Sequence, residues 1–188
     1  MSPILGIYAS SMQPALNATS FESIATVNVG SGGASTVSFS SIPSTYKHLQ
    51  VRLIARGDYP GNNDNIVMYF NSDSATTNYT DHRLRGDGAS VYANGTTNFQ
   101  VIANVTFTAG TALTNNFGVG YIDILDYANT NKNKTVRCLS GYDNNGSGWV
   151  GLTSLLWAST SAITGFTLYF GGGNFTQYSQ VALYGVKG

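Results

Sequence analysis

The stretch IDILDYANTNKNKTVRCLSG, Ile122 to Gly141, reads as two short apolar runs separated by a polar connection. Successive side chains on a strand point to opposite faces. A first strand therefore passes through Ile122, Ile124 and Leu125, NTNKNK forms the connection, and a return strand sets Val136 and Cys138 on one side. Two runs joined this way form an antiparallel hairpin. Asp123 and Asp126 then stand at a strand edge and at the opening of the loop.

The same period recurs outward from this hairpin. In HLQVRLIAR, Leu49, Val51 and Leu53 share one face while Gln50 and Arg52 share the other, and in STVSFSSI Val37 and Phe39 pair in the same way. Similar runs are NIVMYFN, NFQVIANVTF, FGVGYIDILDY, KTVRCLSGY, ITGFTLYF and SQVALYGVK, all rich in the β-branched and aromatic residues that suit a pleated surface. About nine or ten strands result. Helical spacing is not sustained anywhere, and GLTSLLWAST, Gly151 to Thr160, is the one ambiguous stretch. Many short strands without intervening helices predict an all-β fold: an antiparallel β-sandwich of jelly-roll type, over residues 21–188 as a single domain.

Composition narrows the surface more than the chemistry. Of the 188 residues, 42% are apolar and only 10% charged, against about 25% charged in an ordinary soluble domain. Nine basic and nine acidic residues cancel and are scattered, which leaves no electrostatic footprint for nucleic acid or an anionic membrane. The single cysteine, Cys138, cannot form an internal disulfide and reads as a small buried hydrophobe. No window approaches an apolar membrane span, and the opening residues lack the charged start and apolar run of a secretion signal, so synthesis in a cytoplasm is expected.

Residues 1–20 differ from the rest. They carry no charge, two prolines, and a series of apolar side chains. The segment either forms the first strand of the sandwich or extends as an N-terminal arm that packs on a sheet or on another subunit. In the second case its contacts come from Ser2, Pro3, Ile4, Leu5, Ile7, Tyr8, Met12 and Leu16.

Catalytic constellations are weak. Asp123 and Asp126 are three apart, so on a strand they point to opposite faces, and Glu22 is the sole glutamate. DNNGSG, Asp143 to Gly148, and GNNDN, Gly61 to Asn65, lack the ligand spacing of a calcium loop and read as turns. His48 begins a strand as a hydrogen-bonded residue, and His82 falls in a charged stretch, YTDHRLRGDG, that reads as a solvated loop. The Arg56-Gly57-Asp58 and Arg85-Gly86-Asp87 triplets read as turn chemistry. No metal site, cofactor or enzymatic activity is expected. The best ligand-binding alternative is aromatic: Tyr142, Asn144, Asn145 and Trp149 around a loop could stack on and hydrogen-bond a glycan.

VSFSSIPSTYKHLQVRLIAR, Val37 to Arg56, resembles a recurrent segment of tailed-bacteriophage virion structural proteins, and IDILDYANTNKNKTVRCLSGYDNNGSG is similar to a second block of the same group. LLWASTSAIT and FTQYSQVALYGVKG extend the resemblance over most of the chain after the arm. It implies a small β-sandwich on the virion, of the capsid decoration or cement type, bound to the major capsid protein on the outer surface of the head. A homotrimer suits the threefold points of such a shell. A tail or fibre component binding a receptor or glycan is the alternative. The resemblance brings no catalytic residues, and it casts Ile42, Pro43, Tyr46, Leu49 and Val51 as determinants of the fold.

Overall fold

The computed structural model describes residues 20–97 and 102–188. The arm residues Ser2 to Leu16 lie outside the described residues.

Among the described residues, twelve strands form two antiparallel sheets. The small sheet has the order β2-β11-β4-β7, from β2 (Val37–Phe39), β11 (Phe166–Phe170), β4 (Asn63–Phe70) and β7 (Ile102–Thr108). The large sheet begins with β1 (Phe21–Asn28), β12 (Gln180–Val186), β3 (His48–Ala55) and β8 (Gly118–Ile124). It continues through β9 (Lys134–Asp143), β10 (Gly148–Trp157), β5 (Tyr79–Gly86) and β6 (Val91–Thr97). From β2 to β5 and again from β10 to β12, each successive strand changes sheet, the winding of a jelly roll.

Alternation sets the core. Register aligns Leu49 with Ile124, Val136 and Leu155 in one inward row, and Val51 with Ile122 and Cys138 in the next. All seven are buried, and they pack with Ile66, Met68, Phe70, Phe107 and Leu168 of the small sheet in one core. Each such side chain contributes about 1.5–3 kcal/mol by leaving water. Phe70 and Tyr79 flank Trp157 at ring-centroid distances of 5.4 and 6.4 Å. Cys138 is fully buried, and that burial pushes its thiol far above the ordinary range, so it is an inert packing residue.

The structure corrects several sequence expectations. YTDHRLRGDG is not a loop: its residues 79–86 are strand β5. Its alternation is real, but the inward positions are Asp81 and Arg83, so charge hides the pattern. GLTSLLWAST resolves as strand β10 up to Trp157, and Asn63 to Asn65 open β4 rather than form a turn. In the opening hairpin, β8 ends at Ile124 and leaves Leu125 exposed.

Lys134 is the largest surprise in that hairpin. It belongs to β9 rather than to the polar connection, and it is fully buried. Its ammonium donates to the carbonyls of Asn129 at 2.7 Å, Lys132 at 2.8 Å and Thr160 at 3.2 Å. The side chain thus ties the β8–β9 connection to the segment after β10, and burial pulls its pKa down. Removing a buried partner strands its acceptors, at about 1–3 kcal/mol for each unsatisfied group. Lys134→Ala is expected to lower stability by roughly 3 kcal/mol, and Lys134→Met by most of that. Urea midpoints measure it; unchanged midpoints in both variants would show that the three bonds stabilise nothing.

Candidate functional site on the outer face of the large sheet

The registers that build the core also build the opposite face. Outside, Ile54, Val119, Gly141, Val150, Gly86 and Val91 are successive neighbours across β3, β8, β9, β10, β5 and β6. The adjacent row is Arg52, Tyr121, Leu139, Leu152, Leu84 and Ala93. Apart from Arg52 these rows carry no charge, and much of them is open to solvent: Tyr121 is 39% exposed, Leu152 44%, Val150 59% and Val91 76%. Six strands about 4.8 Å apart and two rows deep give a strip of about 24 by 13 Å, or roughly 300 Å². Covering it would release about 7 kcal/mol of apolar transfer free energy before ordering costs.

The strip is not flat. Gly141 and Gly86 carry no side chain between Val119, Val150 and Val91, and this leaves two hollows on either side of the Val150 ridge. One hollow of about 580 Å³ lies among Val119, Tyr121, Leu139, Gly141 and Val150 and is also lined by Gln50 and Arg52. The other, of about 320 Å³, lies among Leu84, Gly86, Val91, Val150 and Leu152. A polar row of Gln50, Asp123 and Arg137 borders the strip; Gln50 donates to Asp123 at 2.8 Å and Arg137 to Asp123 at 3.3 Å. At the near corner, the Arg52 guanidinium lies 5.3 Å from the ring centroid of Phe21 and 4.7 Å from that of Tyr184.

The glycan candidates fall elsewhere, at one end of the sandwich, where the turns of the β5–β6 and β9–β10 hairpins meet around a hollow of about 370 Å³. Tyr142 is buried, and its hydroxyl accepts a hydrogen bond from Asn63. Asn144 braces the turn: its side chain accepts from Leu113 N–H and its own N–H donates to Ser147. Asn145 supplies the left-handed residue of that turn, with φ 55°. Trp149 borders the hollow, but its ring is already covered by the Arg85 guanidinium at 4.8 Å and lies 5.4 Å from the Tyr92 ring. Three of the four are thus committed to internal contacts.

The carboxylates are committed too. Asp58 accepts from Asn174, Asp64 from Gly172 N–H, Asp87 from the N–H groups of Ala89 and Ser90, and Asp143 from Asn145 N–H. Asp73 holds Trp157 Nε1 at 2.8 Å; burial works to raise its pKa, and the bonds from Trp157, Asn78 and Ala75 hold it low. Asp123 and Asp126 do not converge. Asp123 stands in the outward polar row, while Asp126 occupies the turn after β8 with φ 47°, between Lys132 at 2.7 Å and Lys47 at 3.0 Å. Its N–H donates to Nδ1 of His48. Of the two Arg-Gly-Asp triplets, Arg56 is spent on the carbonyls of Gly110, Ala112, Leu113 and Asn116, and Arg85 on the aromatic pair.

Comparison with known proteins adds little. No family model matches the chain, and no curated protein matches it. Among solved structures, an alginate lyase from Alteromonas sp. 272 aligns at 8% identity with a TM-score of 0.16, over 84% of this chain and 79% of that one. A likeness at that level carries no argument about fold or activity.

The Asp126 cluster makes a pH prediction. Hydrogen bonds and charge from Lys132 and Lys47 hold its carboxyl down at about 2, below the ordinary 3.8. A carboxyl depressed in the folded state contributes stability above its unfolded pKa and loses it as pH falls through the folded value. Asp126→Asn is therefore expected to destabilise the protein at neutral pH and to converge with the parent between pH 3.8 and about 2. Thermal midpoints across that range measure it, and a gap that persists unchanged at pH 2 would contradict the assignment.

Proposed function

We propose that this chain is a virion structural protein of the capsid decoration type, seated as a homotrimer on the outer surface of a phage head and in contact with the major capsid protein. The observation that carries the reading is the outward apolar strip on a sandwich whose charged groups are otherwise spent internally. A protein that works by adhesion needs a rigid body, a surface of little net charge, and a face that gains by being covered. The carboxylates brace turns instead of converging on a hollow, which favours a binding role over hydrolysis. The virion-like blocks, Val37 to Arg56 and Ile122 to Gly148, support the same reading.

The uncharged N-terminal segment is the second adhesive element in this reading. Three copies around an axis present three such segments at once, and linked weak contacts then bind through effective concentration.

The test is reconstitution. Heads lacking the protein are mixed with the full chain and with a variant deleted for residues 2–20, and bound protein is counted after sedimentation. The expected result is saturable binding at hundreds of copies per head by the full chain, with at least a tenfold loss on deletion. A failure of the full chain to bind heads, or a handful of copies per virion, would overturn the decoration reading and favour a tail component.

A further inference from the structure

We propose that the outward strip is the seat of the N-terminal segment, residues 1–19, of a neighbouring copy, so that the trimer is closed by exchanged arms. The inference rests on the trimeric reading above for its geometry and on the strip for its chemistry.

Size selects the class of occupant. A stable interface between two folded faces buries about 800 Å² per partner. The strip offers roughly 300 Å², too little for a second sandwich and about what one extended segment covers. Charge selects the segment. The two rows hold Arg52 at one end and otherwise no charge, so a charged peptide would find no counter-ion over most of its length. Residues 1–19 are uncharged and supply Ile4, Leu5, Ile7, Tyr8, Met12 and Leu16.

Spacing fits as well. Gly141 and Gly86, one in each hollow, lie two strands apart, about 9.6 Å. Side chains three residues apart on an extended left-handed chain recur every 9.3 Å or so. Ile4 and Ile7 are three apart, as are Leu5 and Tyr8, and Pro3 favours that backbone.

Direction selects the neighbouring copy over the chain's own strip. Ser20 continues β1, accepting from Lys187 N–H, and Phe21 pairs with Val186 at the His48 end of the large sheet. The row of Ile54, Val119 and Val150 lies towards the opposite end, beside Gln180 and Asn28. An arm folding back onto its own face would have to reverse and run over the polar row of Gln50, Asp123 and Arg137. Continuing straight, it leaves the molecule. Nineteen extended residues span about 60 Å; eight cover the strip, and the other eleven bridge roughly 36 Å, comparable to the width of one such domain. Each arm then docks head-to-tail on the next copy, a heterologous contact that closes as a ring.

The test uses full-length chains carrying Val150→Cys with one of Ile4→Cys, Ile7→Cys or Met12→Cys, oxidised mildly; native Cys138 is buried and does not interfere. Disulfide ladders reaching the trimer on a non-reducing gel are expected in at least one pair. An intrachain disulfide only, or no disulfide in any pair, would overturn the exchange. Light scattering separates the layers: a trimer without cross-chain disulfides refutes exchange alone, whereas a monomer refutes exchange and the trimer together and leaves head binding to the reconstitution assay. Val150→Asp, at an exposed position, is expected to reduce the trimer to monomer while circular dichroism still shows a folded sandwich, with the thermal midpoint falling only by the stabilisation that association supplied. An intact Val150→Asp trimer would also overturn the proposal.

Discussion

The molecule depends on one constraint: across β3, β8, β9, β10, β5 and β6, strand register is shared without a slip. A slip of one residue in a single strand would exchange its two faces. In β9 that would carry Val136 and Cys138 out to water and bring Arg137 into the core. The registry that burial enforces inside is thus inherited outside at no further cost. The outward rows exist because the inward ones do, and the Val119-Gly141-Val150-Gly86-Val91 sequence of ridges and notches is the reverse side of a register fixed by Leu49, Ile124, Val136 and Leu155.

The interior is not uniform along those rows. The row that starts with Leu49 reaches Asp81 four strands later, and the row from Val51 reaches Arg83, whose Nε lies 2.8 Å from Asp81; Thr96 and Asn94 of β6 continue the two rows. The interior therefore turns ionic in the middle of β5, while Tyr79 at its start belongs to the apolar core. A buried pair of this kind is weak evidence for stability, since desolvation offsets much of the attraction. Its consequence here is geometric: β5 brings one apolar side chain to the core, Tyr79 stacked on Trp157 of β10, and is otherwise joined to β10 along the ladder. The face that Leu84 and Leu152 present outside accordingly belongs to the less apolar half of the sandwich.

Legibility in the sequence followed from which face carried the signal. The β8–β9 hairpin and β3 were readable because apolar and polar residues alternate along them. β10 was ambiguous because Leu152 and Leu155 point to opposite faces, so its two apolar faces blur into a run that period alone cannot assign. β5 was lost because its inward positions are charged. The same two failures hid the centre of the strip, where Val150 and Leu152 of β10 lie beside Gly86 and Leu84 of β5. Lys134 was missed for a different reason: a lysine among asparagines looks solvated, and only the closing of three carbonyls around one ammonium makes its burial tolerable. The available signal for the strip was the excess of apolar residues over what one face of β8 and β10 needs.

The position of the strip also limits what can recognise it. From β3 to β5 it lies on strands whose ladders are complete on both sides, so over that span no strand can be added by main-chain pairing, the route that makes open edges promiscuous; its last column, on β6, reaches a sheet edge. The edges themselves are guarded: β1 carries a bulge between Ser23 and Ala25 and Glu22 paired with Lys187, and β6 presents mostly exposed small and polar residues. Recognition on the face must proceed through side chains entering the Gly141 and Gly86 hollows, and side chains at fixed spacing carry sequence information that a backbone ladder does not. A segment with apolar residues three apart meets that requirement; a generic strand does not. Most of the outward apolar surface, from Ile54 to Leu84, is thereby held away from the sheet edges.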